Sequence, residues 1–295
     1  MTKNGIERRA LFGMGAGLAA LNLAGTCEAT AAAAEPMKFK LGTITYNVAK
    51  DWDLPTLIHH TKAAGLEGVE LRTTHKHGVE ISLADAQRKD IRQRFNDAGL
   101  TLWGLGTTCE FQSTDAAKVT QNIEECKRWC ELAKAVGAHG VKVRPNGLPA
   151  GANLPATLDQ IGKSLAECAK AARDNGVEIW LEVHGPITMN PPNIRTILDI
   201  CAAPNTVGAC WNSNASDVVN GSVKQNFDLL ARDIKSCHIN NLWDTTYPYR
   251  ELFGLFHKSG YQGYTLCEVG TAVPPEAGIA FLQCYKGLWL ELNRA

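Results

Sequence analysis

The segment Asp174-Asn175-Gly176-Val177-Glu178-Ile179-Trp180-Leu181-Glu182-Val183-His184-Gly185-Pro186 decides the fold. A polar helical pattern stops at Gly176, where glycine is the usual helix C-terminal cap. A short apolar run follows and ends in a carboxylate and an imidazole two residues apart. In a strand, side chains two apart share a face. Glu182 and His184 therefore look toward the same side, at the C-terminal end of a strand that otherwise reads as buried.

The same helix–Gly–strand junction occurs twice more, as Ala64-Gly65-Leu66-Glu67-Gly68-Val69-Glu70-Leu71 and Ala135-Val136-Gly137-Ala138-His139-Gly140-Val141-Lys142-Val143. Eight β-favouring runs can be marked: 41–46, 68–72, 100–105, 140–144, 179–184, 207–212, 236–239 and 264–268. Amphipathic stretches separate them, at 53–64, 82–98, 115–136, 156–175, 193–201, 226–234, 248–258 and 275–292. Asp53 before Leu54-Pro55 reads as an N-cap with Pro in the first turn. Ser82-Leu83-Ala84-Asp85 resembles a capping-box start.

Strict alternation of short strands with helices means parallel strands joined by helical crossovers. Eight units in roughly 255 residues match the size of a single (β/α)8 TIM barrel, an α/β fold. A doubly wound open sheet would carry a Gly-rich loop after its first strand. Here that place is Tyr46-Asn47-Val48-Ala49-Lys50, without glycine. The barrel is expected over 36–295, with no second domain.

Residues 1–35 read as a targeting segment. Arg8-Arg9 precede an uncharged run from Ala10 to Cys27, and an Ala-rich exit follows. The run is short for a membrane span, which needs about 20 apolar residues. A positive start, apolar middle and small-residue exit describe a secretory signal. The paired arginines with Phe12 resemble a twin-arginine signal. Export to the periplasm or the cell exterior is expected, with no stable membrane insertion after signal removal.

The full chain of 295 residues has the profile of an ordinary soluble globular protein, at 45% hydrophobic and 20% charged residues with a formal net charge of +0. Such balance offers no electrostatic attraction for nucleic acid. Once Cys27 leaves with the signal, an odd number of the 10 cysteines remains. Cys126, Cys130, Cys168, Cys201 and Cys284 fall in helical patterns, and Cys210, Cys237 and Cys267 in strand-like runs. Buried free thiols, acting as small hydrophobes, are expected.

In a barrel of this type the C-terminal strand ends build the active site. Polar residues collect there: Glu70 and Arg72, with His75 following; Lys142 and Arg144; Glu182 and His184; Asn212 and Asn214; His238 and Asn240; and Glu268. His59, His60, His139 and His257 lie elsewhere and read as surface or packing residues. Two carboxylates, an imidazole and an amide oxygen can hold Mn²⁺, Mg²⁺, Co²⁺ or Zn²⁺. The competing reading is a hydrogen-bonded polar belt, in which adjacent acids repel and one protonates.

Leu181-Glu182-Val183-His184-Gly185, Cys210-Trp211-Asn212-Ser213-Asn214, Cys237-His238-Ile239-Asn240 and Leu266-Cys267-Glu268-Val269-Gly270 occur in that order. The series resembles the xylose isomerase-like TIM barrel superfamily, from about Lys40 to the C-terminus. That group contains sugar isomerases and epimerases, among them ketose 3-epimerases and inosose dehydratases, and is distantly related to endonuclease four. The resemblance implies one divalent ion held by Glu182, Asn212, His238 and Glu268. It also implies that Glu182 and Glu268 move the proton at the sugar carbon, one on each face.

Three positions depart from the epimerase pattern. Asn212 stands where Asp is usual, which removes one negative charge; an amide oxygen can still ligate. Ala215 replaces a His, and Asp244 replaces an Arg. The substrate shell is therefore changed. Lys142, Arg144, Arg72, His75 and His184 make the expected pocket more cationic than a neutral sugar requires, which suggests an acidic sugar or a developing oxyanion. Pairing of Lys142 and Arg144 with Glu70 and nearby acids is the plainer alternative.

The resemblance implies a small carbohydrate substrate, bound also by Glu70, Arg72, His75, Lys142, Arg144, His184, Asn214 and Asn240. The expected activity is metal-dependent isomerisation or epimerisation by proton abstraction next to a carbonyl. Two alternatives are a lyase or dehydratase eliminating from keto-sugars or 3-keto-glycosides, and a non-catalytic carbohydrate-binding barrel. DNA is not an expected substrate: the endonuclease relatives need a larger His-rich cluster and a basic groove. A homo-oligomer is compatible with the sequence.

Overall fold

The computed structural model describes residues 38–294. The expected targeting segment at 1–35 lies outside the described residues. Eight parallel strands close into a barrel in chain order: β1 (Lys40–Ile44), β2 (Gly68–Arg72), β3 (Thr101–Glu110), β4 (Gly140–Arg144), β5 (Glu178–Glu182), β6 (Val207–Asn212), β7 (Ile234–Ile239) and β8 (Tyr264–Cys267). The ring is sealed by β8 pairing with β1, with Thr43 beside Cys267. The helices are α1 (Leu54–Ala63), α2 (Asp85–Ala98), α3 (Ala116–Val136), α4 (Leu154–Asn175), α5 (Pro191–Cys201), α6 (Lys224–Leu230), α7 (Tyr249–Ser259) and α8 (Pro275–Leu292). Among the described residues no helix is long and apolar enough to cross a membrane.

Local chemistry sets several of the helix ends. Asp53, Asp115 and Asn153 each accept a backbone N–H at the start of α1, α3 and α4. Helices α2, α3, α4 and α7 end on glycines in the left-handed conformation. The second helix differs from expectation: it starts at Asp85, not Ser82. Arg88 instead takes the carbonyls of Leu83 and Ile81, holding that stretch outside the helix. At the N-terminus Gln87 accepts the Ala84 N–H. Helix α6 ends at Leu230, and a short 3-10 turn, Ala231–Asp233, leads directly into β7 at Ile234.

The strand after α2 also differs. β3 runs to Glu110, five residues beyond the expected Leu105. Its pairing with β4 is interrupted between Gly106 and Glu110, and Thr107 Oγ1 donates to the Lys142 carbonyl at 2.8 Å there. This extension carries Glu110 to the level of Arg144.

Outward-facing residues such as Val69, Leu71, Val141, Ile179 and Leu181 pack under the helices in the main core. Inside the barrel the lower layer is aromatic. Trp180 stacks on Trp103 at 5.1 Å, and Trp103 meets Tyr264 at 4.8 Å. The opposing positions Gly104 and Gly140 make room: a Cβ at either would lie 2.4 Å from the Trp180 ring. This floor seals the barrel beneath a layer of charged side chains.

Cys109, Cys126, Cys130, Cys168, Cys201, Cys210, Cys237 and Cys267 are free and buried. Cys284 departs from the expected burial: it lies on the exposed side of α8. His60, His139 and His257 pack on Trp52, Trp103 and Phe39, and His59 is exposed.

Candidate active site

Directly above the Trp180 floor, three strands bring Glu182, His238 and Glu268 together. His238 is fully buried, with Nδ1 at 3.4 Å from Glu182 Oε1 and 3.5 Å from Glu268 Oε1. Its other nitrogen, Nε2, lies 3.1 Å from Glu70 Oε2. Glu70 thus fixes the ring and turns Nδ1 toward the two carboxylates. A backing carboxylate of this kind commonly orients a metal-ligating histidine.

One ligand atom from each of Glu182, His238 and Glu268 lies within 4.8 Å of the others. Nδ1 is buried and makes no hydrogen bond. A buried nitrogen without a partner is costly, and two carboxylates beside it repel each other. A divalent cation would answer both, so this donor set fits a metal. Burial works against charge on His238, but Cys210, Glu70 and Glu268 outweigh it and hold its pKa well above the usual imidazole value. The same field that favours a proton there favours a metal cation.

Lys142 sits beside this cluster, with Nζ 2.8 Å from Glu182 Oε2. Burial opposes ionisation of Glu182 most strongly, yet Lys142 and His238 prevail and hold the carboxyl well below the ordinary range. Burial likewise opposes the Lys142 ammonium, and Glu182 and Glu70 outweigh it. The expected pairing of Lys142 with Glu70 and nearby acids takes a specific form: its ion-pair partner is Glu182, with Glu70 acting at longer range. Arg144 pairs with Glu110 at 3.2 Å.

Asn212 lies against the cluster with its amide nitrogen 3.3 Å from Glu182 Oε1. Its oxygen accepts from Asn240 at 3.4 Å. Asn240 also donates its side-chain amide to the Ser213 carbonyl and its backbone N–H to the Ser213 hydroxyl oxygen, which ties β6 to β7.

The cavity above is about 230 Å³, small beside the roughly 300–1,000 Å³ typical of pockets for drug-sized ligands. Arg72, Lys142, Arg144, Glu182, His184, Asn212, Asn240 and Glu268 line it. Three expected substrate contacts do not. Glu70 is fully buried behind His238. Asn214 spends its amide on the Val183 carbonyl at 2.6 Å, because the chain turns after Asn212 into a 3-10 helix at Ala215. His75 bonds Thr45 Oγ1 at 2.9 Å and stacks on Tyr46. Burial and the adjacent Arg72 lower its pKa to about 4.

Ile44, Tyr46, Asn47 and Gly270 complete the wall and were not anticipated. Their position at the C-terminal ends of β1 and β8 is the sequence signal that could have found them. Glu110 was likewise hidden by the underestimated length of β3. After Glu182 the chain turns at Gly185, with φ 95°. A Cβ there would lie 2.2 Å from the Asn146 backbone, so only glycine lets the β4 and β5 loops meet under His184.

A search of curated proteins finds no match. Structural likeness is extensive. The E. coli 3-keto-D-glucoside 4-epimerase YcjR superposes with a TM-score of 0.69 at 16% identity, over 86% of this chain and 99% of that one. The IOLI protein with a bound zinc atom gives 0.73 at 17% identity, over 86% and 98%. D-psicose 3-epimerase from Clostridium cellulolyticum H10 gives 0.73 at 13% identity, over 87% and 100%. At these identities the likeness speaks for the fold. The family model described as "Xylose isomerase-like TIM barrel" matches residues 58–283. With that span covering most of the chain, the protein belongs to the xylose isomerase-like TIM barrel family.

Proposed function

We propose that this protein is a divalent-metal-dependent sugar isomerase or epimerase that moves a proton on a carbon next to a carbonyl. The observation that carries the reading is the unpartnered, fully buried His238 Nδ1 facing Glu182 and Glu268. Glu182, His238 and Glu268 would hold the ion, joined by Asn212 once its amide turns the oxygen inward. The bound ion would polarise the substrate carbonyl and so acidify the neighbouring C–H.

The chain's own groups then do the proton work. Lys142 keeps Glu182 ionised, so Glu182 is present as a base. Glu268 is 12% exposed and borders the cavity, the place for a second acid/base group on the other face of the substrate. Glu70 holds the imidazole in place. The Trp180 floor excludes water from below, and the arginines close the rim. The reading includes export through the N-terminal signal.

Elimination is the second reading, and Lys142 favours it. The ammonium lies within reach of the same centre and can protonate a leaving group after the same C–H abstraction. Metal analysis and solvent deuterium exchange test the main reading. The expected result is about one Mn²⁺, Co²⁺ or Zn²⁺ per chain and deuterium on the carbon next to the carbonyl of a ketose panel, both lost in E268Q. An unsaturated product or a released aglycone would assign elimination. Binding of sugars without exchange or metal would leave a non-catalytic carbohydrate-binding barrel.

A further inference from the structure

Arg72 and Arg144 stand two residues beyond Glu70 and Lys142 on β2 and β4. They share the inward face, one strand step of roughly 7 Å nearer the mouth. The site is therefore layered: aromatic floor, carboxylate–imidazole–ammonium layer, then arginines.

The arginine layer is under-neutralised. Arg72 donates only to neutral oxygens, the Thr73 carbonyl at 2.7 Å and Thr74 Oγ1 at 2.9 Å. Its guanidinium also lies over the Tyr46 ring. No carboxylate pairs with it among the described residues. Arg144 shares Glu110 with Asn146, which donates to the same oxygen at 2.6 Å. Arg144 Nε is buried with no partner, and so is His184 Nδ1 beside it on the cavity wall. Both arginines line the cavity. A neutral sugar offers hydroxyls and would leave this charge unmet.

We infer that Arg72 and Arg144 form a carboxylate subsite, so that the substrate is a sugar acid whose carboxylate lies at the far end from the reacting carbonyl. The inference rests on the proposed proton-transfer chemistry for the position of that carbonyl. One strand step separates the Glu182–Glu268 layer from the arginines, comparable to the length of a hexose backbone. A ketouronate has that shape. Guanidinium is the side chain suited to planar, two-point recognition of a carboxylate.

Calorimetric titration of the full, Mn²⁺-loaded protein and of the metal-free protein tests this. The probes are D-fructuronate against D-fructose, D-tagaturonate against D-tagatose, and D-fructose 6-phosphate. The ketouronates should bind about ten- to a hundredfold tighter than their neutral partners. R72Q should weaken ketouronate binding far more than ketose binding and so remove most of that preference, with circular dichroism showing the barrel still folded. R72K should recover only part, because it keeps charge and loses the fork. Equal binding of acid and neutral sugar, or a preference that survives both R72Q and R144Q, overturns the subsite. Tighter binding of fructose 6-phosphate than of either ketouronate also overturns it, in favour of phosphate. Deuterium exchange separates the two ideas. Acid-selective binding without exchange keeps the subsite and rejects proton transfer. Equal exchange into neutral and acidic ketoses, with R72Q unchanged, rejects the subsite and keeps the chemistry.

Discussion

Lys142 Nζ and Glu182 Oε2 form an ion pair at 2.8 Å inside the barrel, with side-chain exposures of 6% and 3%. Two charges so far from water are tolerated only because each answers the other. Removing one partner of a buried pair strands the other, which costs about 3–5 kcal/mol. K142M should therefore lower unfolding stability by about that amount at neutral pH, measured by urea denaturation. The Glu182 pKa is depressed in the folded state. Its stabilisation is thus complete above the unfolded carboxylate pKa of about 4.3, and is lost as pH falls through the folded value. In K142M the loss of stability on acidification should be shallower. An unchanged urea midpoint would show that the ion pair contributes nothing to the fold.

Asn212 is where a carboxylate would strengthen a cation site. N212D should tighten Mn²⁺ binding by roughly tenfold or more, through one added charge close to the ion. Without metal, a third carboxylate beside Glu182 and Glu268 adds more negative charge than Lys142 neutralises and should lower the melting temperature. The stabilisation on adding Mn²⁺ should accordingly grow. Competition with a chelating dye and thermal melts with and without Mn²⁺ read the two effects. Unaltered affinity would place residue 212 outside the ligand set.

Gly106 guards the orientation of His238. A Cβ there would lie 2.8 Å from Glu70 Oε1, so G106A should displace Glu70 from the imidazole. Loss of such a backing carboxylate typically costs about 10–100-fold in metal affinity, with circular dichroism unchanged. G254A is the control: its Cβ meets nothing within 4 Å on α7, and it should stabilise by up to about 1 kcal/mol. Equal metal affinity in G106A and wild type would deny Glu70 this role.

Asp217 supplies a pH dependence separate from the site. Burial pushes its carboxyl up to about 7, against the hydrogen bonds from the Asn214 N–H and the Tyr247 hydroxyl. Below the unfolded value, about 3.9, both states are protonated and nothing is lost. Between that value and about 7 the folded state keeps its proton while the unfolded chain releases it, so this term destabilises as pH rises. The wild type should lose up to about 4 kcal/mol between pH 4 and pH 8 from this group, and D217N should not. His75, with its pKa lowered to about 4, works in the opposite direction below about pH 6.5. It is present in both proteins and cancels in the comparison. The same pH slope in D217N would remove Asp217 as its source.

Much of the barrel is legible locally. The helix–Gly–strand junctions at Gly65, Gly137 and Gly176 and the regular alternation of strands and helices specify the element order. Two-residue spacing at the strand ends also marks which polar side chains face inward, because that alternation belongs to the strand itself. Glu70, Lys142, Glu182, Asn212, His238 and Glu268 can be read as inward-facing strand-end residues on this ground alone.

Which of those residues meet is another matter. Glu70 backs His238 across the barrel, Lys142 pairs with Glu182 instead of Glu70, and Arg144 meets Glu110 because β3 runs farther than its apolar pattern suggests. Asn214 is turned away by the 3-10 helix that follows it. Periodicity determines the face a side chain takes, but its depth and its neighbours depend on the stagger of eight strands around a closed ring. That stagger is a property of the packed barrel. In this protein the sequence alone determined the barrel and its ring of polar strand ends, while the tertiary structure decided their partners and left Arg72 without an acidic one.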